Sequence, residues 1–110
     1  MISGQLVERR RAGSREFVLA YIKATDAGVP ANISGDPVAF AFTLRDEEPD
    51  TWIPGEWAST TPLPGGGYTA RCLVGPGGAI TLTPATYTVS VKVTDSPEIP
   101  VIDCGQLIIT

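Results

Sequence analysis

The chain has 110 residues, 43% hydrophobic and 18% charged, with 12 glycines, 10 prolines, two cysteines and no histidine. That length bounds one domain with a core that can stand without staples, and the glycine and proline content favours tight turns over long helices. The net charge of −4 hides a division: Arg9, Arg10, Arg11 and Arg15 are half of the basic residues, while residues 16–110 carry four basic and eleven acidic groups, a balance that repels nucleic acid from the body, and no apolar run is long enough to cross a membrane.

Residues 1–15 hold no sustained period, although Gly4 to Glu8 is a candidate short strand. They read as a basic N-terminal arm. Arg9 to Arg11 followed by Phe17 to Ile22 imitates a twin-arginine leader. The apolar run is only six residues, ends at Lys23 and Asp26, and leads to no small-x-small cleavage site. An arm followed by the first strand, from Glu16 to about Ala24, is therefore expected. Asp26 to Pro30 breaks that strand, and residues 31–37 form a loop. Val38, Phe40, Phe42 and Leu44 then alternate with Ala39, Ala41 and Thr43, which predicts a central strand because neither face carries charge.

Residues 45–50 form an acidic loop, and residues 51–58 hold both tryptophans. Pro54 makes this segment an edge strand or a bent one. After a loop ending in Gly65, Gly66 and Gly67, residues 68–74 form a strand with Arg71 pointing outward. Gly75 to Gly78 turns the chain, and Ile80 to Leu82 is a further short strand. From Thr86 to Thr94, Tyr87, Val89, Val91 and Val93 alternate with threonine, serine and lysine, the period of a strand with one buried face. Residues 95–100 turn, and Val101 to Thr110 closes the chain as a strand bulged at Cys104 and Gly105.

About seven short strands at regular spacing, with no helical window, predict an all-β antiparallel sandwich over residues 16–110. Its core should include Phe40, Phe42, Tyr87, Val89, Val91 and Val93. Tyr87, at the head of its strand after Thr83 and Pro84, stands where immunoglobulin-like folds place the tyrosine that pins a corner. Cys72 shares a strand face with Tyr68, Ala70 and Val74 and should point inward. Both cysteines are expected as buried thiols.

The residues offer little for catalysis. Without histidine the commonest general base and metal ligand is missing, and two cysteines alone cannot hold zinc. Gly75 to Gly78 lacks the Lys-Ser/Thr and the helix of a phosphate cradle. Asp46, Glu47, Glu48 and Asp50 could be read as a calcium loop, but they lack its spacing and glycine. Glu47 and Glu48 are adjacent, so they cannot keep the separation of a glycosidase pair. Trp52 and Trp57 fall on opposite faces of a straight strand and do not make one sugar-stacking platform. No catalytic, cofactor or metal residue is therefore assigned. Arg9, Arg10, Arg11 and Arg15 are the candidate partner-binding residues, because a sandwich does not require three consecutive arginines.

Residues 17–25 (FVLAYIKAT), 35–43 (GDPVAFAFT), 68–78 (YTARCLVGPGG) and 86–100 (TYTVSVKVTDSPEIP) resemble small immunoglobulin-like structural proteins of actinobacterial phages and prophages. The front half also resembles, more weakly, the immunoglobulin-like N-terminal domain of phage baseplate proteins. The resemblance spans residues 16–110 and contains no catalytic motif. It implies an immunoglobulin-like antiparallel β-sandwich, beside which residues 1–15 read as the extended arm, in a virion component assembled in the host cytoplasm, and it does not say which component. An immunoglobulin-like domain of this size in a virion is commonly a capsid decoration protein, so docking on the major capsid protein or another virion protein is the function expected, with a possible homo-oligomer, no nucleic acid and no membrane. The alternatives are a neck, tail or baseplate component, and a bacterial surface or secreted immunoglobulin-like binding module.

Overall fold

The computed structural model of the chain describes residues 2–26, 29–44, 47–94 and 99–110. Nine strands follow one another: β1 (Ile2–Arg10), β2 (Glu16–Asp26), β3 (Val29–Pro30), β4 (Val38–Leu44), β5 (Ile53–Pro54), β6 (Glu56–Trp57), β7 (Tyr68–Val74), β8 (Ala85–Val93) and β9 (Val101–Ile109). The described residues contain no helix. One sheet runs β1-β2-β7-β6, with β3 added beside β2, and the other runs β1-β9-β8-β4-β5. β1 belongs to both. Its residues 2–5 pair antiparallel with β2, and its residues 6–10 pair parallel with β9.

The alternating strands make the core because their apolar residues share one face. β8 contributes Tyr87, Val89, Val91 and Val93; β7 contributes Tyr68, Ala70, Cys72 and Val74; β2 contributes Val18, Ala20 and Ile22. With Phe40, Cys104, Leu107 and Ile109 they form one apolar cluster drawn from both sheets, which is a sandwich. Each fully buried valine contributes roughly 1.5–3 kcal/mol over its exposed state. Of the expected core, Phe42 is half-buried and stacks on Phe40 with ring centroids 6.2 Å apart. Lys92 and Thr88 take the outer face.

The bulge falls where the sequence placed it. Val89 pairs with Gly105 and Ser90 with Asp103, so Cys104 is the extra residue, and Gly105 adopts φ 141°, open to glycine at little cost. Ile80 to Leu82 is not a strand. Ile80 makes a single parallel bridge to Val74, and Leu82 is buried as part of the core cluster. Val29 and Pro30, read from the sequence as part of a break, form the short β3 against Thr25 and Asp26. Most of the turn expected over residues 95–100, and Arg45 and Asp46 of the acidic loop, lie outside the described residues.

The arm is the main correction. Residues 1–15 were expected as an extension beside a sandwich that begins at Glu16. Instead residues 2–10 are a strand that edges both sheets and bridges them, and backbone bonds continue past it, Thr110 N–H to Arg10 C=O at 2.9 Å and Ala12 N–H to Thr110 C=O at 3.0 Å. The physical reason is that β2 and β9 would each leave a row of backbone groups unpaired without it.

Candidate interaction surfaces

The basic end of the molecule is built by the β1–β2 connection. β1 carries Arg9 and Arg10 to its last positions, opposite Ile108 and Ile109 of β9. Residues 11–14 then turn sharply, with Ser14 N–H donating to Arg11 C=O at 3.0 Å, and β2 begins at Glu16. Against this turn packs the β7–β8 connection. Gly75 has φ 128°, and a Cβ placed on it would stand 2.0 Å from the Ser14 carbonyl oxygen and 2.7 Å from Arg15 Cα. Only glycine permits that approach. Arg15 reaches over the same connection, its Nη1 3.0 Å from where a Cβ on Gly77 would stand.

The four predicted arginines therefore gather at one end of the sandwich. Arg10 is engaged: its Nε is 3.0 Å from Glu16 Oε2, and its Nη1 donates to Arg9 C=O at 2.9 Å. Arg9, Arg11 and Arg15 are exposed, and none has an ion pair among the described residues. Arg9, Arg10 and Arg11 line an open cleft of about 540 Å3 with Ala12, Gly13 and Thr110. Two exposed guanidinium groups at the cleft, Arg9 and Arg11, with Arg15 exposed at the same end, make a surface for planar anionic groups, carboxylates above all, which each guanidinium can grip through two parallel bonds.

A second cleft, of about 440 Å3, opens on the outer face of the sheet formed by β4, β8 and β9. Thr43, Thr88, Ser90, Val101 and Asp103 floor it, and Glu47, Glu48 and Pro49 of the β4–β5 connection wall it. Ser90 is buried there and donates to Asp103 Oδ1 at 2.8 Å. Sequence reading missed this cleft, because it treated Glu47 and Glu48 as a solvated loop.

The remaining candidates resolve into structural roles. Trp57 donates its indole N–H to Asp36 C=O at 2.8 Å and meets Tyr68 edge-on, whereas Trp52 lies under Lys92 Nζ at 4.6 Å on the other sheet, so the two do not share a platform. Arg71 points outward, as expected, over the Phe17 ring at 4.3 Å and onto Glu56 at 2.9 Å. Cys72 and Cys104 are free and buried; burial pushes both thiols up to about 11, with the Asp103 charge adding to the effect at Cys104. Both stay protonated near neutral pH and are poor nucleophiles. Among the described residues no group of three or more aspartate, glutamate or cysteine side chains is placed to hold a metal; Asp46 of the acidic loop lies outside them. No protein family, curated protein or solved structure matches the chain.

Proposed function

We propose that the chain is a non-enzymatic structural protein of a phage virion, decorating the capsid by docking its basic end on carboxylates of the major capsid protein. The observation that carries this reading is the gathering of Arg9, Arg11 and Arg15, exposed and without ion pairs among the described residues, at one end of an otherwise acidic body. Such a surface favours an acidic partner and gives register as well as attraction. The sequence resemblance to phage structural proteins supplies the setting.

The finer fold belongs to the same proposal. An immunoglobulin-like sandwich is supported by the strand orders, in which the first strand divides between the sheets, and by the corner at Thr83. There Tyr87, at the head of β8, donates its hydroxyl to Thr83 C=O at 2.8 Å.

Since β1 belongs to both sheets, the clean test substitutes the arginines and leaves the strand whole. Full-length chain and an Arg9→Ala/Arg11→Ala/Arg15→Ala variant are titrated against capsids stripped of the chain, with assembled tails as the comparison. Binding should fall at least tenfold in the variant and weaken as salt rises. Equal binding by the variant removes the basic end from the mechanism. Arginine-dependent binding to tails alone moves the protein to the tail or baseplate, and binding to neither favours a cell-surface or secreted module.

A further inference from the structure

The carboxylates that the basic end requires are also present on this chain. Glu47, Glu48 and Asp103 of the second cleft are exposed, and no ion pair engages them among the described residues. The cleft includes or borders apolar side chains left in water: Val101 is 52% exposed and Leu44 45%. The basic cleft answers both features, with guanidinium groups on Arg9 and Arg11 and an apolar floor at Ala12. Arginine stems cover apolar surface well while their heads reach carboxylates.

The two clefts cannot satisfy each other within one molecule as it is folded. One sits at the end where β1 and β9 finish, the other on the outer face of β4, β8 and β9, and among the described residues no ion pair joins them. A contact between them must therefore be made by two molecules. It uses different surfaces on the two partners, so the pair keeps one end and one cleft open, and association continues into a row or closes into a ring.

We infer that copies of this chain associate head to tail, the basic end of one copy seated in the acidic cleft of the next. The inference rests on the reading of Arg9, Arg11 and Arg15 as docking side chains and adds a second partner for them. One basic end cannot hold a capsid protein and another copy together, so the two contacts compete. Exposed ion pairs are individually weak and screened by salt, and the association is accordingly a weak, salt-sensitive one.

The test is sedimentation velocity of the full chain over a range of concentration and salt, with two variants of exposed residues. Arg9→Ala/Arg11→Ala disables the end, and Glu47→Gln/Glu48→Gln disables the cleft; unchanged circular dichroism and melting show that both fold. The natural chain should grow past the dimer as concentration rises at low salt, and its association should weaken at least tenfold when salt goes from about 0.05 to about 0.5 M. Each variant alone should be a monomer. An equimolar mixture should form a dimer and stop, because one partner supplies the only working end and the other the only working cleft. A natural chain that stays monomeric, a variant that self-associates like the natural chain, or a mixture that stays monomeric would each overturn the inference. Capsid binding is read separately: a monomer that still docks on capsids sinks self-association alone, and a self-associating chain that ignores capsids sinks capsid docking alone.

Discussion

β8 is an interior strand and β1 an edge strand of both sheets, and they hold the sandwich in different ways. β8 runs within one sheet from end to end, between β4 and β9, and turns Tyr87, Val89, Val91 and Val93 into the core. β1 leaves one sheet for the other halfway along, antiparallel to β2 and then parallel to β9. β8 is fixed by what its side chains bury. β1 pairs its backbone with two neighbours, one in each sheet. A strand can be indispensable without a single alternation in its sequence that announces it.

The largest effect that tests this contrast is removal of β1. A chain lacking residues 1–15 exposes the backbone edges of β2 and β9 together and opens the join between the sheets. It should show no cooperative unfolding transition in urea or on heating, and should aggregate. A truncated chain with the natural midpoint would restore the view of these residues as an arm.

That view came from the sequence, and its failure has a physical cause. A single alternation marks a strand that keeps one face to one core. The residues from Ile2 to Arg10 serve two sheets, so no single alternation runs through them, and with their arginines they read as a basic arm. β4 and β7 were legible to the residue, at Val38–Leu44 and Tyr68–Val74, because each stays in one sheet, and Gly105 correctly marked the bulge. The arginines were named as a partner surface before their placement was known, but their assembly with the turn at Gly75 was not legible. That contact joins residues far apart in the chain through a missing Cβ, which leaves no pattern. The acidic cleft was hidden likewise, since Asp103 and Glu47 meet only through tertiary folding.

Gly75→Ala probes the contact that seats the end of β1. The new Cβ would overlap the Ser14 carbonyl, and the backbone at φ 128° is strained for any other residue. The loss should be roughly 3 kcal/mol or more, read from urea unfolding. The circular dichroism of the native state should remain that of β-sheet, with the defect confined to the basic end. A change of under 1 kcal/mol would mean that the turn at residues 11–14 yields freely and that the basic end is not a built surface.

β9 lies between the two contrasted strands, and its Cys104, with Cys72 of β7, gives a pH-dependent measure of the core. Both folded thiols titrate at about 11 against an ordinary 9.0, so the folded state holds protons that the unfolded chain releases. Their contribution is whole below pH 9 and falls as pH rises through 9 to 11, by about 2–3 kcal/mol per thiol at the top of that window. Stability measured from pH 8 to 11 should drop accordingly. The drop should flatten in Cys72→Ala/Cys104→Ala, whatever that variant's stability at pH 8. An equally steep fall in the variant would place the titration elsewhere. Val91→Ala, at the centre of β8, should cost about 1–3 kcal/mol at every pH by leaving a cavity among fully buried neighbours.

The smallest effect isolates how β8 is anchored at its head. Tyr87 is buried, and its hydroxyl donates to Thr83 C=O at 2.8 Å with the Thr83 hydroxyl 3.3 Å away. Tyr87→Phe keeps the ring and its packing and removes the bond, leaving the Thr83 carbonyl to find water, which is near because Thr83 is exposed. The expected cost is thus that of one hydrogen bond, about 1 kcal/mol, and not that of a stranded buried acceptor. Tyr87→Leu loses the ring as well and should cost more, because the core at the sheet end opens. If Tyr87→Phe is silent while Tyr87→Leu is costly, the residue serves β8 by packing alone, and the bond at the corner adds nothing to the strand. If both cost the same, the hydroxyl carries the whole role, and β8 depends at its head on its bond to a backbone carbonyl more than on its apolar face.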